Sequence, residues 1–234
     1  MLMEAQQNGV PRCIGVIVDG NRRWARAHGF PTLKGHEEGY KKLKDFVLWA
    51  KEAGSTHVVA YVFSSENWNR AAEEVSYLMG LIIKLLKEDL EELGKKGIRL
   101  RIAGVRSMLP KNVQEAVAEA EASTKDNTEF TLCLALSYGG RDEIVEAVNK
   151  IIADDTKSLP ITKETFAQYL WTSDIPDPDM IIRTSGEMRL SNFLPWQGVY
   201  SELFFLPIHW PDITKEYFMR VLEEYKNRQR RYGK

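Results

Sequence analysis

Short apolar runs rich in β-branched residues alternate along the chain with longer stretches of helical period, and this alternation constrains the fold most. Cys13-Ile14-Gly15-Val16-Ile17-Val18 has strand length and stops at Asp19-Gly20. Between 38 and 53 the apolar positions Leu43, Phe46, Val47 and Ala50 recur at spacings of three and four, which predicts a helix ended by Gly54. The same reading predicts strands at 57–63, 98–103, 130–136, 180–182 and 203–206, and helices at 73–93, 110–123, 141–153, 163–170 and 214–228. Strands separated by helices pair in parallel, so the expected fold is α/β, a mainly parallel six-stranded sheet flanked by helices. Ligands of such sheets bind at the carboxyl ends of the strands.

The charges nearly cancel: 32 Lys and Arg against 33 Asp and Glu leave a net −1. That balance excludes a protein that simply coats nucleic acid. With 44% hydrophobic residues among 234, the chain can bury a real core, which excludes intrinsic disorder. No repeat, low-complexity stretch or long linker divides it, so 1–234 reads as one domain, with 1–11 as a flexible N-terminus. The start lacks a secretion signal, and no run approaches the ~20 apolar residues of a membrane span, so a cytoplasmic protein is expected. Cys13 and Cys133, outside any CxxC pair, read as small buried hydrophobes.

The chemically rich segments follow strands. Asp19-Gly20-Asn21-Arg22-Arg23-Trp24-Ala25-Arg26 begins an acid-free stretch that reaches His36 and includes Lys34. A carboxylate at a strand tip, a glycine turn and a basic helix start suit an anion held with Mg²⁺. A simple turn leading into a solvated basic helix face has the same composition. The next strand leads to Ser64-Ser65-Glu66-Asn67-Trp68-Asn69-Arg70, either a functional loop or a cap for the following helix. Tyr138-Gly139-Gly140-Arg141 offers two glycines that would let backbone approach a ligand. The fifth strand leads to Arg183-Thr184-Ser185-Gly186-Glu187-Met188-Arg189-Leu190-Ser191-Asn192, a donor-rich loop suited to diphosphate. Glu202 could be a second metal carboxylate or an ordinary edge residue. His28, His36, His57 and His209 show no zinc-site spacing, and no GxSxG or Cys/His nucleophile pattern occurs.

In this order, from about residue 14 to 233, the segments resemble the cis-prenyltransferases, whose bacterial type is undecaprenyl diphosphate synthase. Gly35-His36, Trp196-Gln197, Tyr200-Ser201-Glu202-Leu203 and Trp210-Pro211-Asp212 extend the match. The resemblance implies condensation of isopentenyl diphosphate with an allylic diphosphate, usually farnesyl diphosphate, to give a cis-polyprenyl diphosphate of the undecaprenyl lipid-carrier type. Alternatives within the family are a short-chain synthase and a non-catalytic partner subunit.

By the same resemblance Asp19 manages the Mg²⁺–diphosphate complex, and Gly20, Asn21, Arg22, Arg23 and Trp24 bind the allylic diphosphate with His36 nearby. Ser64 and Asn67 resemble residues of the proton-removal step, while Glu66, Trp68 and Arg70 belong to the closing loop. Arg183, Arg189 and Ser191 hold isopentenyl diphosphate. Glu202 completes the metal site across a homodimer, and Arg231 and Gly233 reach the neighbouring subunit's diphosphate site. A hydrocarbon product implies an apolar tunnel between sheet and helices, with Leu78, Leu81, Ile82, Leu85 and Leu86 as its natural wall, and peripheral contact with a membrane. Four positions depart from the common pattern: Arg22 stands for Gly, Thr32 for a diphosphate-contacting Arg, Ser137 for Asn and Val105 for Asp.

Overall fold

The computed structural model describes residues 9–156 and 159–228. Its six strands are β1 (Cys13–Ile17), β2 (His57–Ser64), β3 (Ile98–Ala103), β4 (Phe130–Tyr138), β5 (Met180–Arg183) and β6 (Glu202–Phe205). They form one sheet in the order β3-β4-β2-β1-β5-β6, and every neighbouring pair is parallel. The helices are α1 (Asn21–Ala27), α2 (Thr32–Glu52), α3 (Ala72–Lys84), α4 (Leu90–Lys95), α5 (Lys111–Thr124), α6 (Gly140–Ala153), α7 (Lys163–Ala167) and α8 (Lys215–Asn227).

Both faces of the sheet are covered, which is why the strand sequences run apolar without alternating. Ile14, Val16, Val58, Ala60, Leu132, Leu134 and Ile182 face a core with Phe46, Phe218 and Trp210. Cys13, Ile17, Val59, Cys133 and Ile181 face the other way, onto Phe193 and Leu194. Both cysteines are buried and unpaired, as their apolar surroundings predict. On α2, the predicted stripe of Leu43, Phe46, Val47 and Ala50 is buried, and its larger side chains contribute about 1.5–3 kcal/mol each.

The boundaries correct the sequence reading at several points. Helix α2 starts at Thr32 rather than 38, and α1 precedes it. The single helix expected over 73–93 is interrupted by a π-helical turn, Leu85–Asp89, that buries both Leu85 and Leu86. Helix α7 ends at Ala167, three residues before the expected 170. Of the N-terminal segment 1–11, residues 1–8 lie outside the described residues, while Pro11 is buried and its carbonyl accepts a 2.8 Å hydrogen bond from Ser55.

Strand β3 is one edge of the sheet, and side chains occupy its outer backbone groups. Leu100 N–H donates to Thr124 Oγ1 at 3.0 Å and Ile102 N–H to Glu121 Oε1 at 2.9 Å. The carbonyls of Ile98 and Ile102 accept from Asn127 at 2.9 Å and Arg106 at 3.3 Å. Among the described residues no helix is long and apolar enough to cross a membrane.

Candidate active site

The carboxyl ends of β1, β2 and β5 open into a cavity of about 790 Å³. Its polar lining includes Asp19, Gly20, Asn21, Arg22, Arg23, Arg26, His36, Ser64, Glu66, Asn67, Arg70, Arg183 and Ser191. Its apolar lining includes Leu43 from α2, Leu78, Leu81 and Ile82 from α3, and Leu85 from the π-helical turn that follows. Helix α3 begins just past the tip of β2, so these residues recede from the rim over roughly 10 Å of helix axis.

Asp19 follows β1 and is held between two guanidinium groups. Arg23 Nη2 donates to Oδ1 at 3.0 Å and Arg183 Nη2 to Oδ2 at 2.9 Å. Arg23 lies one turn along α1, at i+4 from Asp19, whereas Arg183 ends the strand beside β1, in register with Ile17. The Asp19 backbone is tied separately: its N–H donates to Thr184 Oγ1 at 3.1 Å and its carbonyl accepts from Trp210 N–H at 3.0 Å. The fold therefore positions the carboxylate without using it.

Arg183 is 5% exposed and also donates to Ser191 Oγ at 2.9 Å and to the Arg189 carbonyl. Its Nε is buried with no hydrogen-bond partner, as is Asn21 Oδ1. A buried guanidinium N–H without an acceptor, in the lining of a basic cavity, suits a phosphate oxygen. Arg189, 61% exposed, lies further out on Glu187 at 2.5 Å. The Arg189 hydrogen bond, helped by its charge and by Arg23, keeps Glu187 below the usual carboxylate range.

A second cluster joins α2 to α3. His36 Nε2 lies 3.0 Å from Glu74 Oε1, which also accepts from Arg70 at 2.9 Å, and Arg22 approaches the other oxygen at 3.9 Å. Burial pushes the His36 pKa down and outweighs Glu74. Burial would raise Glu74, but the His36 hydrogen bond and the Arg70 and Arg22 charges hold it low. The sequence reading omitted Glu74, although its i+4 spacing from Arg70 was a usable signal.

In the loop after β2, Ser64 and Asn67 form a reciprocal cap on a 3₁₀ turn, Ser65–Asn69. Asn67 Oδ1 accepts from Ser64 N–H at 3.2 Å. Both residues still line the cavity, so the capping and functional readings coexist. Burial acts to raise Glu66, yet bonds from its own N–H, Ser64, Asn192 and Ser65 hold it below the ordinary value. Trp68 donates to Ser137 Oγ at 2.8 Å and packs edge-on against Phe63.

Four residues that the sequence singled out lie apart from this constellation. Trp24 turns its indole N–H to Asp212 at 2.6 Å, stacks on Phe30 and lies tilted against His28. Gly139 and Gly140 serve chain packing rather than a ligand: a Cβ on Gly140 would sit 2.0 Å from Pro195 Cδ. Glu202 pairs in register with Met180 at the start of β6, whereas Asp19 follows the far end of β1. Its carboxylate accepts from Arg228 at 3.0 Å, so one chain does not bring the two expected metal carboxylates together. Arg231 and Gly233 lie outside the described residues.

Among the described residues no group of three or more His, Cys, Asp or Glu side chains could hold a metal ion. Asp19 is one carboxylate of this chain to which a cation could bind. Mg²⁺ often binds through one or two carboxylates plus phosphate oxygens.

Residues 17–233 match the prenyltransferase family model described as "Putative undecaprenyl diphosphate synthase". An isoprenyl transferase of Thermotoga maritima is 46% identical over 226 residues, covering 96% of this chain and 97% of the relative. One from Rhizobium meliloti is 43% identical, with 99% and 96% covered. A lavandulyl diphosphate synthase from Lavandula x intermedia, solved in complex with dimethylallyl diphosphate, superposes with a TM-score of 0.92 at 34% identity, covering 97% and 99% of the chains. A "probable undecaprenyl diphosphate synthase" from Campylobacter jejuni gives a TM-score of 0.81 at 32% identity, with 96% and 99% covered. With the family model matching residues 17–233 and relatives of this identity over almost the whole chain, the chain belongs to the undecaprenyl diphosphate synthase family of isoprenyl transferases.

Proposed function

We propose that the protein is a Mg²⁺-dependent cis-prenyltransferase that extends an allylic diphosphate, farnesyl diphosphate in the first instance, with isopentenyl diphosphate. The observation that carries this reading is Asp19 clamped by Arg23 and Arg183 in a cavity that also has an apolar wall of Leu43, Leu78, Leu81, Ile82 and Leu85. One region suits a diphosphate and the other suits the hydrocarbon attached to it.

A diphosphate offers Arg23 and Arg183 the oxygens that Asp19 supplies to them, which frees the carboxylate for a cation. Mg²⁺, when bound there, neutralises charge on the departing diphosphate. Arg22, Arg23 and Arg26 stabilise the same developing negative charge, which favours cleavage of the allylic C–O bond with its electron pair leaving on oxygen. Arg183, Arg189 and Ser191 hold the second diphosphate so that its alkene meets the allylic carbon. A new C–C bond forms, and a proton leaves the isopentenyl unit on the side of Ser64 and Asn67. Leu43, Leu78, Leu81, Ile82 and Leu85 exclude water from the cationic centre and receive the growing chain.

The active form in this reading is a homodimer in which Glu202 serves the partner's metal site. Val145, Val148 and Ile152 support it, since they are exposed along one face of α6. The lipid product brings the enzyme to the cytoplasmic face of a membrane.

Incubation with radiolabelled isopentenyl diphosphate, farnesyl diphosphate and Mg²⁺ should give a chelator-sensitive polyprenyl product. Absence of any labelled product lipid would overturn the reading. The superposition on a synthase bound to dimethylallyl diphosphate favours a second reading, a short-chain product, and chromatography of the dephosphorylated lipids separates the two.

A further inference from the structure

Behind the turn that carries Asp19 and Gly20 lies a hydrogen bond that none of these roles uses. Ser185 has φ 80°, in the left-handed region that disfavours side chains other than glycine. Such a residue persists only where its surroundings over-determine it. Its N–H donates to the Ile208 carbonyl at 2.6 Å, and the next N–H, of Gly186, donates to Leu206 at 2.8 Å. Any residue could make those two bonds. The third depends on the two side chains: Ser185 Oγ and His209 Nδ1 share a hydrogen bond of 2.7 Å.

The conformation of Ser185 sets the direction of its carbonyl. That oxygen accepts from Arg23 Nη1 at 3.2 Å, while Arg23 Nη2 holds Asp19. The His209 side chain also backs onto the turn that follows β1. A Cβ on Gly20, itself at φ 106°, would lie 2.6 Å from Ser185 Oγ and 2.8 Å from His209 Nδ1. Trp210, the next residue, donates its N–H to Asp19. The Ser185–His209 bond therefore sits where the Asp19 turn meets the loop after β5.

We propose that His209 is a positioning residue: through Ser185 Oγ it fixes the left-handed turn after β5 and so aims Arg23 at the diphosphate bound beside Asp19. This deepens the proposed function and rests on it. A side chain that only filled space at 209 could be replaced by leucine, whereas one that holds Ser185 in an unfavourable conformation could not.

The test compares the parent with His209→Leu, Ser185→Gly, Ser185→Ala and the His209→Leu/Ser185→Gly double variant. Binding of inorganic diphosphate with Mg²⁺ is followed by titration calorimetry, and KM and kcat are measured with farnesyl and isopentenyl diphosphates. His209→Leu should weaken diphosphate binding and raise the KM for farnesyl diphosphate about tenfold, leaving kcat within about threefold. Ser185→Gly in that background should restore binding to within about twofold, because glycine holds this φ unaided. Unchanged binding in His209→Leu, or a double variant no better than the single one, would overturn the proposal. If His209→Leu fails to fold, the serine variants still decide: Ser185→Ala should bind weakly and Ser185→Gly normally, and equal affinities refute the role. A parent that binds no diphosphate overturns the site reading and the proposal together. A binding parent with unaffected variants overturns only the positioning role.

Discussion

The two ends of the parallel sheet are both rich in charge and use it differently. At the amino end, Asp179 accepts from the N–H groups of Arg12 and Cys13 at 2.7 and 3.1 Å, tying down the start of β1. Asp174 there pairs with Arg99 and Arg101 of β3. These carboxylates lock backbone and neighbouring strands together. At the carboxyl end, Asp19 and Glu187 are held by Arg23, Arg183 and Arg189 alone, and their removal would leave no backbone group unpaired in those bonds. Four non-glycine residues at this end have positive φ: Ser137, next to last in β4, and Ser185, Ser191 and Asn192 in the loop between β5 and β6. Ion pairs at one end serve the fold; at the other they are exchangeable for a ligand.

Substitutions can break this contrast, beginning with the largest expected effect. Asp19→Ala should reduce kcat by on the order of 10²–10³ while leaving the melting temperature near that of the parent. Near-parental turnover in a labelled-substrate assay would remove Asp19 from the mechanism. Asp179→Ala should do the opposite, lowering unfolding free energy by about 2 kcal/mol with kcat/KM unchanged, because two backbone donors lose their acceptor. Urea denaturation beside steady-state kinetics checks both halves of that claim. Arg189→Ala should raise the KM for isopentenyl diphosphate by about tenfold and spare stability, since the exposed side chain contributes one charged interaction. An unchanged KM would separate Arg189 from substrate.

The smallest effect concerns His57, which begins β2 at the amino end. Burial first, then the Arg12 charge, lowers its pKa to about 4. Above pH 6.5 the ring is neutral in both states and contributes nothing to pH dependence. As pH falls below 6.5 the unfolded chain takes up the proton first, so stability drops until about pH 4 and then levels. The ring is partly exposed, which limits the loss to about 1 kcal/mol. His57→Gln should flatten that segment of the denaturation-versus-pH curve, and a curve identical to the parent's would assign the slope to other groups.

Much of this contrast was legible in the sequence, because strand tips and apolar runs are local signals. All six strands were expected near their observed positions, and Asp19, Arg23, Arg183 and Ser191 come together as their placement after β1 and β5 implied. The basic helix start after Gly20 was legible, but the end of α1 and the start of α2 were not. Gly35 and Gly39 weaken the helical pattern there, yet they are required because α1 crosses α2 so closely that a Cβ on Gly35 would lie 2.0 Å from the Asn21 carbonyl. The i+4 spacing of Glu74 from Arg70 was legible, but its contact with His36, 38 positions away, was not, because periodicity carries no information about such contacts. The wide separation of Glu202 from Asp19 likewise follows from strand register, which no single motif encodes.

The side chains along the outer edge of β3 have a consequence for assembly. A strand arriving from another molecule would need Leu100 and Ile102 as donors and Ile98 and Ile102 as acceptors, and Thr124, Glu121, Asn127 and Arg106 already engage those groups. Extending the sheet there would trade four made bonds for new ones with little net gain. These bonds therefore make the border a poor template for fibre-like growth, because an arriving strand would first have to displace them.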